Sequence, residues 1–169
     1  MRFTIGMAFG PPEHYVPVAR AADALGYWGI ACSDHVLNLE TLSTPYPYTP
    51  DGQRRWELQT NWLDPWVAIG AMGSATERLR FTTNVYVLPM RNPFVTAKAV
   101  ATASVLTGGR VSLAFALPDP GAVDAAYAQL VGAGHHGELA PFDAFWGMRY
   151  ATVHDPDGTG VDLFAPLTS

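Results

Sequence analysis

The first part of the chain alternates short apolar runs with amphipathic segments, a pattern that predicts strands connected by helices. Strands are predicted at residues 3–9, 27–32, 79–88 and 110–117, and helices at 12–25, 65–76 and 93–107. The second and third helices each begin with a capping residue and a proline, Asp64-Pro65 and Asn92-Pro93. Repeated strand–helix units predict a parallel sheet with right-handed crossovers.

The pattern changes after residue 117. Asp119-Pro120 begins a further helix, which ends at Gly132 and Gly134, and no later segment has helical periodicity. Strands are predicted near 137–140, at 148–154 and at 160–164, with a tight turn at 155–158. This order predicts one helix followed by an antiparallel meander, and the strand at 110–117 suits both patterns.

Composition and charge limit the classes of partner. Hydrophobic residues make up 49% of the chain and charged residues 15%, which is typical of a packed globular protein. Residues 1–109 carry no net charge, so residues 110–169 supply the whole formal charge of −5. We expect no nucleic-acid partner, because this acidic part repels phosphates. The single Cys32, the absence of a signal-peptide pattern and the shortness of the apolar runs predict a cytoplasmic protein without a membrane partner.

Two stretches of the first part carry a family resemblance: ARAADALGYWGIACSDHV and DPWVAIGAMGSATERLRFTTNVYVLPMRNPFVTAKAVATASVLTGGRVSL. In order and spacing, residues 1–112 resemble the amino-terminal part of the luciferase-like monooxygenase superfamily, especially its deazaflavin-dependent members. The resemblance implies a (βα)8 barrel plan, with FMN or a deazaflavin coenzyme bound at the carboxyl ends of the strands. The resemblance does not extend to the late barrel strands, whose loops often bind phosphate, so we expect weak cofactor binding by one chain.

A second resemblance covers residues 111–167 and rests on DAAYAQLVGAGHHG, PFDAFWGMRYATV and DPDGTGVDLFAPL. These segments resemble one βαβββ module of the vicinal oxygen chelate superfamily, which includes the glyoxalase and bleomycin-resistance proteins. The combined prediction is an α/β fold. A partial (βα) TIM-barrel-like half with parallel strands occupies 1–110, and a glyoxalase-like βαβββ module with an antiparallel meander occupies 111–169.

The first resemblance implies catalytic roles for Asp34 and His35, which follow the second strand. A histidine exchanges protons near neutral pH, and the alternative is a residue that only caps the long connection after it. Thr83, Asn84 and Val85 are implied to bind the cofactor. Relatives often carry a cis peptide at the position of Asn84-Val85, and the alternative is an ordinary strand interior.

The connection at 36–61 is long and rich in proline and aromatic residues. The Trp and Tyr side chains between Tyr46 and Trp66 are predicted either to form a lid over a substrate or to anchor the loop. The sequence favours neither alternative.

The second resemblance implies an alternative ligand site formed by Trp146, Arg149, Tyr150 and Asp162. Burial of these aromatic residues in a core is the competing interpretation. We predict no metal site, because Asp162 is a single carboxylate and the first strand of the module has no histidine.

The leading functional hypothesis is a flavin- or deazaflavin-dependent oxidoreductase or monooxygenase of the luciferase-like type, or a remnant of one. The alternatives are a non-catalytic protein that binds a small-molecule ligand as a dimer, and a folded fusion with no retained activity. Four parallel strands cannot close an eight-stranded barrel, so we expect a homo-oligomer that covers the open sheet edges.

Overall fold

A computed structural model of the protein describes residues 2–46, 49–156 and 158–167. Its strands are β1 (Thr4–Met7), β2 (Gly29–Cys32), β3 (Arg80–Thr83), β4 (Val111–Ala116), β5 (Gly137–Ala144), β6 (Met148–His154) and β7 (Gly160–Pro166). Its helices are α1 (Tyr15–Ala24), α2 (Pro65–Gly73), α3 (Pro93–Thr107) and α4 (Pro120–Gly132), with short 3-10 turns at Pro12–His14 and Leu88–Met90.

The seven strands form one sheet in the order β1-β2-β3-β4-β7-β6-β5. The strands β1 to β4 run parallel, and β4 also pairs in parallel with β7. The strands β7, β6 and β5 then continue the sheet as an antiparallel meander. The predicted α/β class, with parallel strands followed by antiparallel ones, is confirmed. The division at residue 110 stays a prediction, because the sheet continues across it.

All four helices cover the same face of the sheet. On β4, Leu113 packs against the core beneath α1 to α3, while Phe115 packs against the core beneath α4. Side chains two positions apart on a strand point to the same face, so the two cores lie side by side on one surface. The opposite face carries no helix among the described residues, and we call it the helix-free face.

The two cores differ in size. The larger one lies beneath α1 to α3 and contains Ile30, Ile69, Met72 and Phe81, all nearly inaccessible to solvent. Cys32 belongs to this core, and burial raises the pKa of its thiol to about 12. The smaller core, beneath α4, is built from Val123, Ala151, Leu163 and Ala165.

Hydrogen bonds join the two parts of the sheet beyond the β4–β7 pairing. The hydroxyls of Ser104 on α3 and Thr159 before β7 lie 2.8 Å apart and are buried. Asp155 Oδ1 accepts a hydrogen bond of 2.8 Å from the backbone N–H of Thr159, which fixes the β6–β7 turn. The predicted turn includes Asp157, which lies outside the described residues, as does Tyr48 of the long connection.

The predicted helix caps are confirmed. The carboxylate of Asp64 accepts hydrogen bonds from the N–H groups of Trp66 and Val67, and Asn92 and Asp119 cap α3 and α4 in the same way. Gly108 ends α3 in the left-handed conformation, with φ of 64°.

The strands β3 and β5 differ most in length from the prediction. Residues 79–88 are rich in β-formers, but β3 ends at Thr83, and the chain leaves the sheet through Asn84 and Val85. The strand β5 extends past Pro141 to Ala144, because β5 is the edge strand and a register shift lies between Leu139 and Phe142. No helix within the described residues is long and apolar enough to cross a membrane.

Candidate functional site

The carboxyl ends of the parallel strands meet at one edge of the sheet, as they do in parallel α/β folds. Phe9 follows β1, Asp34 and His35 follow β2, and Asn84 and Val85 follow β3. We call this edge the barrel mouth. The mouth therefore gathers side chains from three loops that are far apart in sequence.

His35 lies in an aromatic cluster at the mouth. Its ring meets the rings of Trp56 and Trp62 edge-on, at 5.1 Å between centroids in each case. Phe9 completes the cluster, with its ring 5.2 Å from that of Trp62. Burial lowers the pKa of His35; nearby Asp34 opposes that shift and Arg54 adds to it. The neutral imidazole is therefore favoured near pH 7, in a form that can accept a proton.

The side chain of Asp34 is buried and is held by an ion pair. Its two carboxylate oxygens accept hydrogen bonds of 2.7 Å from Nη1 and Nη2 of Arg91, and Oδ2 also accepts one of 2.8 Å from the N–H of Val87. The side chain of Asp34 is only 1% exposed and that of Arg91 17%. The guanidinium also lies 4.3 Å from the ring centre of Tyr86. This arrangement ties the loop after β2 to the loop after β3.

The three predicted cofactor residues are not equivalent. The peptide bond between Asn84 and Val85 is cis, as the resemblance implies, and both residues are exposed. Asn84 remains attached to β2, because its N–H donates to the carbonyl of Cys32 at 2.9 Å. Thr83 is buried on the helix-covered face with Phe81, and its hydroxyl is buried without a hydrogen-bond partner among the described residues. Only Asn84 and Val85 therefore present side chains to solvent.

The aromatic residues of the long connection anchor that loop. Trp56 Nε1 donates to Asn38 Oδ1 at 3.2 Å, and the ring of Tyr46 lies 5.2 Å from that of Trp56. Arg54 donates to the carbonyl of Leu39 and to Asn38. The loop is thus folded upon itself beside His35, which makes it a wall of the mouth.

Three of the four alternative ligand residues lie together on the helix-free face or at its border. Thr152 donates a 2.9 Å hydrogen bond to Asp162 Oδ1, and Tyr150 also hydrogen-bonds to this carboxylate. Burial raises the pKa of Asp162, and burial likewise raises the pKa of Tyr150. Trp146, half exposed, has its ring 5.9 Å from that of Tyr150.

Arg149 lies on the other face from Tyr150 and Asp162. Its guanidinium forms ion pairs with Asp124 of α4 at 2.8 Å and with Asp143 of β5 at 2.9 Å. Adjacent residues of a strand point to opposite faces, so Arg149 and Tyr150 do not converge. The structure therefore assembles Trp146, Tyr150 and Asp162 and separates Arg149 from them.

Two residues with contacts in these sites, Arg91 and Thr152, are not among those predicted from the sequence. Arg91 directly precedes the Asn92-Pro93 cap, but its partner is 57 residues away and no local signal identifies it. Thr152 lies two residues after Tyr150 on β6, so strand alternation places both side chains on one face. That alternation was the available signal.

Comparison with known proteins gives relatives for the parallel part. An uncharacterized protein of Mycobacterium tuberculosis is 36% identical over 113 residues, which are 67% of this chain and 39% of that protein. The chain thus matches about two fifths of the length of this relative.

Solved structures show the same fold at low identity. A Type II Baeyer-Villiger monooxygenase, the oxygenating constituent of the 3,6-diketocamphane monooxygenase of Pseudomonas putida in complex with FMN, has a TM-score of 0.50 at 19% identity, covering 68% of this chain and 29% of that one. The coenzyme F420 dependent tetrahydromethanopterin reductase of Methanopyrus kandleri has a TM-score of 0.50 at 16% identity, covering 74% and 29%.

A glyoxalase/bleomycin resistance protein/dioxygenase from Nocardioides aligns with 34% of this chain and 38% of its own, at 29% identity and a TM-score of 0.32. The family model of the luciferase-like monooxygenases matches residues 4–143. That match includes β1 to β4 and continues through α4 into β5. The chain therefore belongs to the luciferase-like monooxygenase family.

Proposed function

We propose that the chain binds the ring system of FMN or of a deazaflavin coenzyme at the barrel mouth and acts as an oxidoreductase of the luciferase-like type. The observation that carries this proposal is the position of His35. A half-buried imidazole with a lowered pKa stands among aromatic rings at the carboxyl end of β2. Two relatives in fold support the choice of cofactor, since one is in complex with FMN and the other is described as coenzyme F420 dependent.

The residues at the mouth fit an aromatic ring system. The exposed side chains of Asn84 and Val85 offer one surface for it, and the cluster of Phe9, Trp56 and Trp62 offers an apolar wall. The bound coenzyme would supply the hydride or oxygen chemistry. His35 would hold or release a proton beside the substrate, and the aromatic wall would exclude water.

Asp34 enters this proposal as a positioning residue. Its carboxylate holds Arg91 and Val87, so it fixes the chain immediately before His35 and the loop after β3. Thr83 contributes its backbone, because its side chain is buried on the helix-covered face. The catalytic proton transfer is therefore assigned to His35 alone.

The arginine side chains near the mouth already have partners, so they are poorly placed to bind the phosphate of the coenzyme. Arg91 is committed to Asp34, and Arg54 to Asn38 and Leu39. We propose that a second copy of the chain completes the site, since β1 and β5 are the open edges of the sheet and unpaired edges favour association. If two copies form the site, cofactor affinity should rise with protein concentration, because a higher concentration favours the oligomer.

A titration tests the proposal. The folded protein is titrated with FMN, reduced FMN and the deazaflavin coenzyme, while tryptophan fluorescence and melting temperature are followed together. We expect saturable quenching, because Trp56 and Trp62 line the mouth, and stabilisation of about 2.7 kcal/mol at a hundred times the dissociation constant. The His35→Phe variant keeps an aromatic ring in the cluster, so we expect it to bind the coenzyme but to lose the proton transfer that oxidoreductase activity requires. Absence of any saturable effect would support a fusion without retained activity.

A second candidate function rests on the helix-free face. The buried carboxyl of Asp162, bonded to Thr152 and Tyr150 beside Trp146, supports binding of a small polar molecule by the βαβββ part at 111–169. The β4-β7-β6-β5 order supports treating that part as one module. If this second function is correct, the protein binds its ligand as a dimer, and Trp146→Ala should weaken that binding. The variant His35→Phe should leave the affinity for the ligand unchanged.

A further inference from the structure

We propose that an apolar cavity beside α3, over the junction of β4 and β7 where the two parts of the sheet meet, binds a neutral aromatic molecule of two to three rings. The cavity has a volume of about 460 Å³. It lies on the helix-covered face, because its lining includes Leu113, Phe115 and Val161, which pack against the two cores on that face. It is therefore separate from the helix-free face, and Tyr86 and Leu88 of its lining belong to the loop after β3.

Both parts of the chain build this cavity. Its floor is formed where β4 pairs with β7, at the register of Leu113 with Val161. One wall is α3, and the turn after β6 closes the far side through Asp155. The main apolar lining residues are Leu88, Val100, Ala101, Leu113, Phe115 and Val161. Neither part alone would enclose the space.

Size and chemistry define the ligand. An apolar cavity of about 150 Å³ holds benzene, so a space about three times larger suits two or three rings. Two lining residues, Tyr86 and Thr96, carry hydroxyl groups, which suits a ligand with one polar group. Asp155 is the only charged residue among the described residues of the lining. An anion would meet this carboxylate in an apolar setting, so a neutral ligand is preferred.

A pair of probes with the same skeleton tests this charge preference. N-phenyl-1-naphthylamine is neutral, and 8-anilinonaphthalene-1-sulfonate adds a sulfonate to the same rings. We expect saturable fluorescence enhancement with the neutral probe and binding at least about tenfold weaker for the anionic one. Equal affinity for the two probes would overturn the proposal.

Two variants on the same helix locate the probe. Ala101→Phe fills the cavity, while Ala99→Phe fills the exposed groove between α2 and α3, which is of similar size. We expect Ala101→Phe to lower affinity for the neutral probe at least about tenfold and Ala99→Phe to change it less than about twofold. The reverse result would assign the probe to the outer groove and refute the proposal.

Folding of each variant is checked by circular dichroism and melting temperature. If Ala101→Phe does not fold, Ala97→Phe replaces it, because Ala97 is exposed at the rim of the same cavity and tolerates a larger side chain. Binding unchanged in folded Ala97→Phe would count against the cavity. If addition of the probe changes the oligomeric state of the protein, the probe binds at a surface between two copies, and this result also contradicts the proposal.

Discussion

Replacing Asp34 by Asn tests whether the Asp34–Arg91 pair holds the barrel mouth together. The substitution keeps the shape of the side chain, but an amide NH2 then faces a guanidinium N–H, and one of the two 2.7 Å hydrogen bonds is lost. Removing one partner of a buried ion pair costs about 3 to 5 kcal/mol. Arg91 keeps some contact with water, so we expect the lower end, about 3 kcal/mol of unfolding free energy.

Urea denaturation followed by tryptophan fluorescence and circular dichroism measures this loss. Asp51→Asn is the matched control, because Asp51 and Arg55 form an exposed pair at 3.2 Å, with about half of each side chain in water. The control variant should unfold at the same urea concentration as the parent chain. A loss below about 1 kcal/mol for Asp34→Asn would show that the pair does not stabilise the mouth.

Three further predictions concern single residues. Because burial lowers the pKa of His35, the unfolded chain takes up its proton first as the pH falls below about 6.5, and the folded state loses stability there. The stability profile of His35→Phe against pH should therefore be flatter below 6.5, and an identical slope would contradict the reasoning. Gly73→Ala places a Cβ against Cγ2 of Thr107 and should cost about 1 to 3 kcal/mol in urea denaturation. Gly70→Ala, in the same helix, places its Cβ 3.8 Å from Cδ1 of Leu106, an ordinary van der Waals contact, and should stabilise by up to about 1 kcal/mol; equal effects of the two variants would refute the packing argument. Asp162→Asn should raise the melting temperature at pH 7 more than at pH 4, because burial raises the pKa of this carboxyl and penalises its charged form; a lower melting temperature at pH 7 would contradict this.

Local signals predicted most of the secondary structure. The pairs Asp64-Pro65 and Asn92-Pro93 fix helix starts through contacts within three residues, and these caps are present. The change of pattern after residue 117 also corresponds to the change from parallel to antiparallel pairing. Both features depend on neighbours in sequence.

Non-local contacts account for what the sequence did not reveal. The run NVYVL after Thr83 has strand propensity, but the N–H of Val87 bonds to Asp34 and not to a neighbouring strand. The guanidinium of Arg110 donates to the carbonyls of Gly73, Thr76 and Leu79, a set of partners that only the folded chain brings together. The position of the candidate site was predictable, because it lies at the ends of the parallel strands. The ion pairs and hydrogen bonds between its residues were not predictable, because their partners are far apart in sequence.

The most direct test of a cofactor site at the barrel mouth is the mapping of backbone amide NMR shifts during addition of the deazaflavin coenzyme or FMN. We predict that the largest saturable shifts fall on Phe9, His35, Asn84 and Val85, where the loops after β1, β2 and β3 meet. Shifts concentrated around Tyr150 and Asp162, or no saturable shifts with either coenzyme, would contradict this location of the site.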